Sequence, residues 1–112
     1  MDVDYVVMHD LYRILCERYP VQMAWGQFFK NGDGKHSIRL FLPCLQCSFL
    51  VTIMLHCNDI RMVIMRLRDT EAMKCTNECT TIFSFNMSSE YLEPICDVIE
   101  SVRTARYSNN IF

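Results

Sequence analysis

From Ser48 to Arg68 the chain reads SFLVTIMLHCNDIRMVIMRLR, and apolar residues fall on both parities of this stretch. Phe49, Val51, Ile53 and Leu55 alternate with Leu50, Thr52, Met54 and His56. Successive side chains of a strand point to opposite faces, so each set shares a face. A strand apolar on both faces is covered on both or lies centrally in its sheet. CND then makes a turn, and IRMVIMRLR supplies the next strand, with Arg61 opposite in parity to Arg66 and Arg68. The chain must therefore build a sheet around this pair, and the remaining segments must provide its neighbours and its cover.

The upstream segments supply neighbours. In VQMAWGQFF, Val21, Met23 and Trp25 alternate with Gln22, Ala24 and Gly26, which predicts a strand. KNGDGK follows, and Asn-Gly and Asp-Gly both tolerate positive φ, a hairpin signal. SIRLFL alternates Ile38, Leu40 and Leu42 against Arg39 and Phe41 until Pro43 stops the ladder. Downstream, DTEAMKCTNECT reads as a loop and Thr81 to Phe85 as a short fifth strand.

The two ends supply cover. From Asp4 to about Arg18, Met8, Leu11, Leu15 and Tyr19 recur at helical spacing, widened by Tyr12 and Cys16. Asp2 or Asp4 is placed to cap this helix, and Pro20 ends it at Tyr19. NMSSEYLEP carries polar caps, early acids and a first-turn Pro, and Ile95, Val98, Ile99 and Val102 mark the buried stripe of a last helix. The expected fold is α+β: an antiparallel four- to five-stranded meander sheet flanked by an N-terminal and a C-terminal helix. With 112 residues it forms one domain spanning the chain.

Composition narrows the class of function. Lys and Arg number 11 against 13 Asp and Glu, a formal charge of −2 that exerts no global pull on nucleic acid or anionic lipid. No stretch reaches the roughly 18 apolar residues of a membrane span, so no membrane partner is expected. The start, MDVDYVVMHD, is acidic and lacks a basic region ahead of a long apolar run. The expectation is an intracellular protein, cytoplasmic or nuclear, whose seven cysteines are reduced thiols.

Four patterns in the chain bear on chemistry. Cys44 and Cys47 are spaced C-x2-C, and Cys75 and Cys79 are spaced C-x3-C. A tetrahedral zinc site needs both pairs to meet in space, and neither pair has a glycine-containing knuckle. The simpler reading is thiols at strand ends. A thioredoxin-like thiol needs a helix after the Cys pair, and here a strand follows. His9, His36 and His56 lie in no local signature for a nucleophile and its base. GDG in the hairpin is no phosphate loop, since no helix follows it. No enzyme activity and no cofactor are expected.

What remains is surface. Arg39, Arg61, Arg66 and Arg68, with Trp25, Phe28 and Phe29 for stacking, would suit RNA or DNA if they gathered on one sheet region. The competing reading is arginines snorkelling over a sheet rim. The stronger argument is apolar excess. Leu50, Met54, Val63, Met65 and Leu67 form a second apolar set that two helices on one face leave uncovered. A contiguous apolar patch marks a partner site, and Met-rich surfaces adapt to partners. The expected partner is another protein, in a hetero-complex or a homodimer. The expected contact residues are Trp25, Phe28, Met54, Met62, Met65 and Leu67.

HDLYRILCERYP closes on Tyr19-Pro20, SIRLFLP is a strand that ends in Pro, and a helix stands last. In this order of elements the chain resembles an RWD domain, whose first helix ends at an Ile-Tyr-Pro-like corner ahead of a four-stranded antiparallel meander. It departs from that family in PCLQC, which has one Pro where the family has a Pro-rich turn. The resemblance implies a non-catalytic protein-interaction module of multi-subunit assemblies. Signal-recognition-particle Alu-binding domains share a similar order and would imply RNA.

Overall fold

The computed structural model describes residues 3–43, 48–69 and 75–104. Its elements run α1 (Val3–Arg18), α2 (Pro20–Met23), β1 (Gln27–Lys30), β2 (His36–Pro43), β3 (Ser48–His56), β4 (Asp59–Asp69), β5 (Cys75–Asn86) and α3 (Leu92–Thr104). The strands form one sheet in the order β1-β2-β3-β4-β5, every neighbouring pair antiparallel. This is the expected α+β meander between two helices.

Register decides which apolar set lies under the helices. Ile53 pairs with Met62, Val51 with Ile64, Leu40 with Val51 and Ile38 with Ile53. These side chains are buried in one cluster with Met8, Leu11 and Leu15 of α1 and Ile95, Cys96, Ile99 and Val102 of α3. Both long helices therefore share the core on one face of the sheet. Outside it, Arg13 pairs with Asp10 at 2.9 Å and Glu17 at 3.2 Å along exposed α1. The helices are joined where Arg18 meets Glu93 at 2.8 Å and the Tyr19 hydroxyl donates to the Cys96 carbonyl at 3.4 Å.

Two segments differ from their expected form. The alternation at Val21–Trp25 predicts a strand, but residues Pro20–Met23 are a helical turn and the first strand begins at Gln27. Pro20 opens that turn, where its fixed φ suits a helix and its missing N–H is not needed. Tyr19 and Met23 are four apart, and both enter the core once the Met23 amide donates to the Tyr19 carbonyl at 2.9 Å. The segment expected to be a loop up to Thr80 is the start of β5, which runs from Cys75. Its polar residues carry no apolar alternation, and it is strand because β4 continues opposite it to Asp69.

The turns follow backbone chemistry. In NGDGK, Gly34 adopts a φ of 88°, its amide donates to the Asn31 carbonyl at 3.0 Å, and the Asp33 carboxylate accepts from the Lys35 amide at 3.0 Å. The β3–β4 connection is the two residues Cys57 and Asn58, with His56 paired to Asp59. Cys57 takes a φ of 56°, a conformation that favours glycine. Its side chain is exposed, so nothing is lost by removing it. Cys57→Gly should stabilise the protein by about 1 kcal/mol, the usual strain of a left-handed side-chain-bearing residue. A denaturant midpoint that stays put or falls would show that this turn is unstrained.

Candidate interaction surface

The face opposite the helices is assembled by register from residues distant in sequence. Phe41 pairs with Leu50, and Leu50 with Met65. The next row is Arg39, Thr52, Val63 and Ile82, and the row after it Ser37, Met54, Arg61 and Ser84. Phe29 of β1 pairs with Ser37 and extends that last row. Phe29, Phe41, Leu50, Met54, Val63 and Met65 are all half-buried, and none belongs to the core cluster that the helices share. Ile82, on the edge strand β5, is 56% exposed. The helices leave this set uncovered, and it runs across all five strands.

Two cations stand on the same face. The Arg39 guanidinium lies 4.9 Å from the centre of the Phe29 ring, a cation–π contact. Arg61 approaches the His56 Nδ1 at 3.2 Å. Both Nε atoms are buried and have no hydrogen-bond partner, because the stems lie along the apolar surface while the charged heads reach outward.

The expected contact residues divide. Met54 and Met65 stand on the open face. Met62 is fully buried in the core and cannot meet a partner. Phe28 pairs with Ile38 on the helix side, so it too leaves the contact set. Its ring lies among those of Tyr5, His9, Tyr12 and His36, at centroid distances of 5.2 to 6.0 Å. Leu67 has the parity of the open face but is buried, beside a register irregularity between Arg66 and Leu67. Trp25 is 82% exposed in the connection between α2 and β1, outside the strand rows. Phe29, Phe41 and Ile82 join the surface instead. Their signal was parity relative to Arg39, Leu50 and Val63, which only the register supplies.

The arginines do not gather. Arg39 and Arg61 share the open face, whereas Arg66 pairs with Phe49 on the helix side. Arg68 continues β4 opposite Thr76.

Cys44 and Cys47 lie outside the described residues. Cys75 and Cys79 are strand residues, paired with Asp69 and Arg66. Among the described residues, no group of three or more His, Cys, Asp or Glu is placed to hold a metal ion. Burial pushes the Cys96 thiol up from its ordinary range, against the opposing pull of Arg18, which approaches its sulfur at 3.5 Å. The Arg18 guanidinium in turn holds the Glu93 carboxyl below the usual range.

The densest polar contact on the helix side is Asp4 with His36. One carboxylate oxygen accepts both from the His36 amide and from its Nδ1, each at 2.8 Å. Asp4 is thus not a simple helix cap; it pins the first turn of α1 to the start of β2. Asp4→Ala would leave the His36 donors without this acceptor in a mostly buried setting. The loss should be about 1.5 kcal/mol of unfolding free energy, measurable by urea titration, and an unchanged midpoint would mean the contact adds nothing.

Among the described residues, no helix is long and apolar enough to cross a membrane. No protein-family model matches the chain, and no curated protein or solved structure matches it significantly.

Proposed function

We propose that this protein is a non-catalytic protein-interaction module, a subunit or adaptor of an intracellular multiprotein complex, that binds through the sheet face its helices leave open. The observation that carries this reading is the continuous apolar set Phe41, Leu50, Met54, Val63, Met65 and Ile82 on that face. Apolar side chains of this kind are removed from water at about 25 cal/mol per Å² when a partner covers them, while the flanking Arg39 and Arg61 orient it. The two methionines suit a surface that repacks around its partner. The resemblance to RWD domains supports the same role.

A nucleic-acid reading has one favouring feature, Arg39 and Arg61 beside Phe29 and Phe41 on one face. It is the weaker reading, because Arg66 stands on the other face and the chain carries −2 overall.

The test is quantitative affinity capture of tagged wild-type protein and Val63→Glu, with and without nuclease. Val63 is on the open face, so the variant should keep its circular dichroism spectrum and lose a stoichiometric protein partner. Equal recovery of that partner by both would overturn the reading. A partner lost on nuclease treatment, with binding that weakens steeply with salt, would favour nucleic acid.

A further inference from the structure

The two edges of the sheet are unlike. β1 is four residues long and ends in Lys30, a short edge with a charge, as proteins use to block unwanted pairing. β5 is twelve residues long, and from Cys79 to Ser89 it and the turn after it contain no charged residue, no Pro and no Gly. Its central run, TTIFSF, is β-branched and aromatic.

The direction of its backbone groups follows from the β3–β4 turn. A two-residue connection makes His56 and Asp59 a hydrogen-bonded pair, and such pairs alternate along an antiparallel ladder. Asp59, Arg61, Val63 and Met65 therefore turn their amides and carbonyls toward β3. Ile60, Met62 and Ile64 turn theirs toward β5, where they meet Phe85, Phe83 and Thr81. The amides and carbonyls of Ile82 and Ser84 consequently point away from the sheet, and no described strand lies beyond them.

We propose that β5 pairs antiparallel with β5 of a second copy of this chain, joining two five-stranded sheets into one of ten strands. The outward backbone groups suit a strand, which can pair with a row of donors and acceptors at that spacing. The absence of charge from Cys79 to Ser89 suits a second copy. A two-fold contact sets the strand against its own sequence, and the segment Thr80–Asn86 that would pair with itself holds no charge, Glu78 lying outside it. In a register centred on Phe83, Ile82 of each copy faces Ser84 of the other, so each outward pair exchanges its hydrogen bonds. Opposed residues of antiparallel strands share a face, so the open faces of both copies lie on one side. The pairing rests on the edge and not on the partner-binding role proposed for the face.

Sedimentation velocity over about 1 to 100 μM tests it, because self-association depends on concentration. Wild-type protein should approach twice its 13.2 kDa mass at the upper end. Ser84→Pro removes an amide that points outward and so blocks pairing at little cost to the monomer. Ile82→Lys places a charge on a side chain that is 56% exposed. Both variants should sediment as monomers with the wild-type circular dichroism spectrum, and Ile82→Lys alone decides the matter if Ser84→Pro does not fold. Val63→Glu, one strand in, should still dimerise. Amide exchange at Ile82 and Ser84 should slow as concentration rises. A wild-type monomer throughout, a dimer that survives Ile82→Lys, a dimer lost in Val63→Glu, or amides protected equally at every concentration would each overturn the proposal.

Discussion

Met62→Lys should abolish cooperative folding, while Met65→Lys, three residues along the same strand, should fold normally. Met62 is fully buried between β4 and the helices, with Ile53 and Phe83 opposite it on the flanking strands. A lysine there either buries an unpaired ammonium or gives up its proton, and both cost several kcal/mol. That is comparable to the whole stability of a small domain, about 5–15 kcal/mol. Met65 has the other parity and is only half-buried, so its lysine can carry the ammonium to water. The expected change there is within about 1 kcal/mol, as for substitutions away from the core. Chemical denaturation of the two variants reads the contrast directly. Equal damage from both would mean that the second face is sealed as well.

The next largest effect is expected at Gly26. A Cβ built there would lie 2.8 Å from the Arg39 carbonyl oxygen, 3.0 Å from the Met23 Cε and 3.1 Å from the Met23 carbonyl oxygen. The methionine tip can move, but the backbone oxygens belong to β2 and to the turn that lets the Gly26 amide donate back to Met23 at 2.9 Å. Relief therefore requires β1 to shift away from β2, and Gln27 sits directly opposite Arg39. Gly26→Ala should cost about 2–3 kcal/mol, the scale of overpacking a fixed site. By contrast, Gly32→Ala meets nothing within 4 Å and should be tolerated. Thermal melts of the two variants separate them, and a Gly26→Ala protein as stable as Gly32→Ala would remove close packing as the reason for glycine here.

The central hairpin was legible because its period is unambiguous over many residues. Phe49, Val51, Ile53 and Leu55 keep one parity throughout, and all four are buried together. The last helix was legible for the same reason, with Ile95, Ile99 and Val102 buried and Val98 at the margin. Val21, Met23 and Trp25 offered only three alternating positions, too few to outweigh a proline that starts a helical turn. In β4, Met62 and Ile64 are no more apolar than Val63 and Met65, so composition alone could not choose the face that the helices cover. Pairing chose it, by setting Met62 against Ile53 and Ile64 against Val51. Phe28 and Phe29 posed the same problem. They are equal in chemistry, and only their partners Ile38 and Ser37 send one ring under α1 and the other to the open face. Of the residues on the open face, Leu50, Met54, Val63 and Met65 were therefore readable from sequence as a second apolar set, whereas Phe29, Phe41 and Ile82 were not.

Methionine oxidation, followed by mass spectrometry of the folded protein at low concentration, tests the two-faced sheet most directly. Met54 and Met65 should be converted to sulfoxide several times faster than Met8 and Met62, which have no exposed surface. Equal protection of all four, with the protein still folded and unassociated, would mean that no apolar face is left open for a partner.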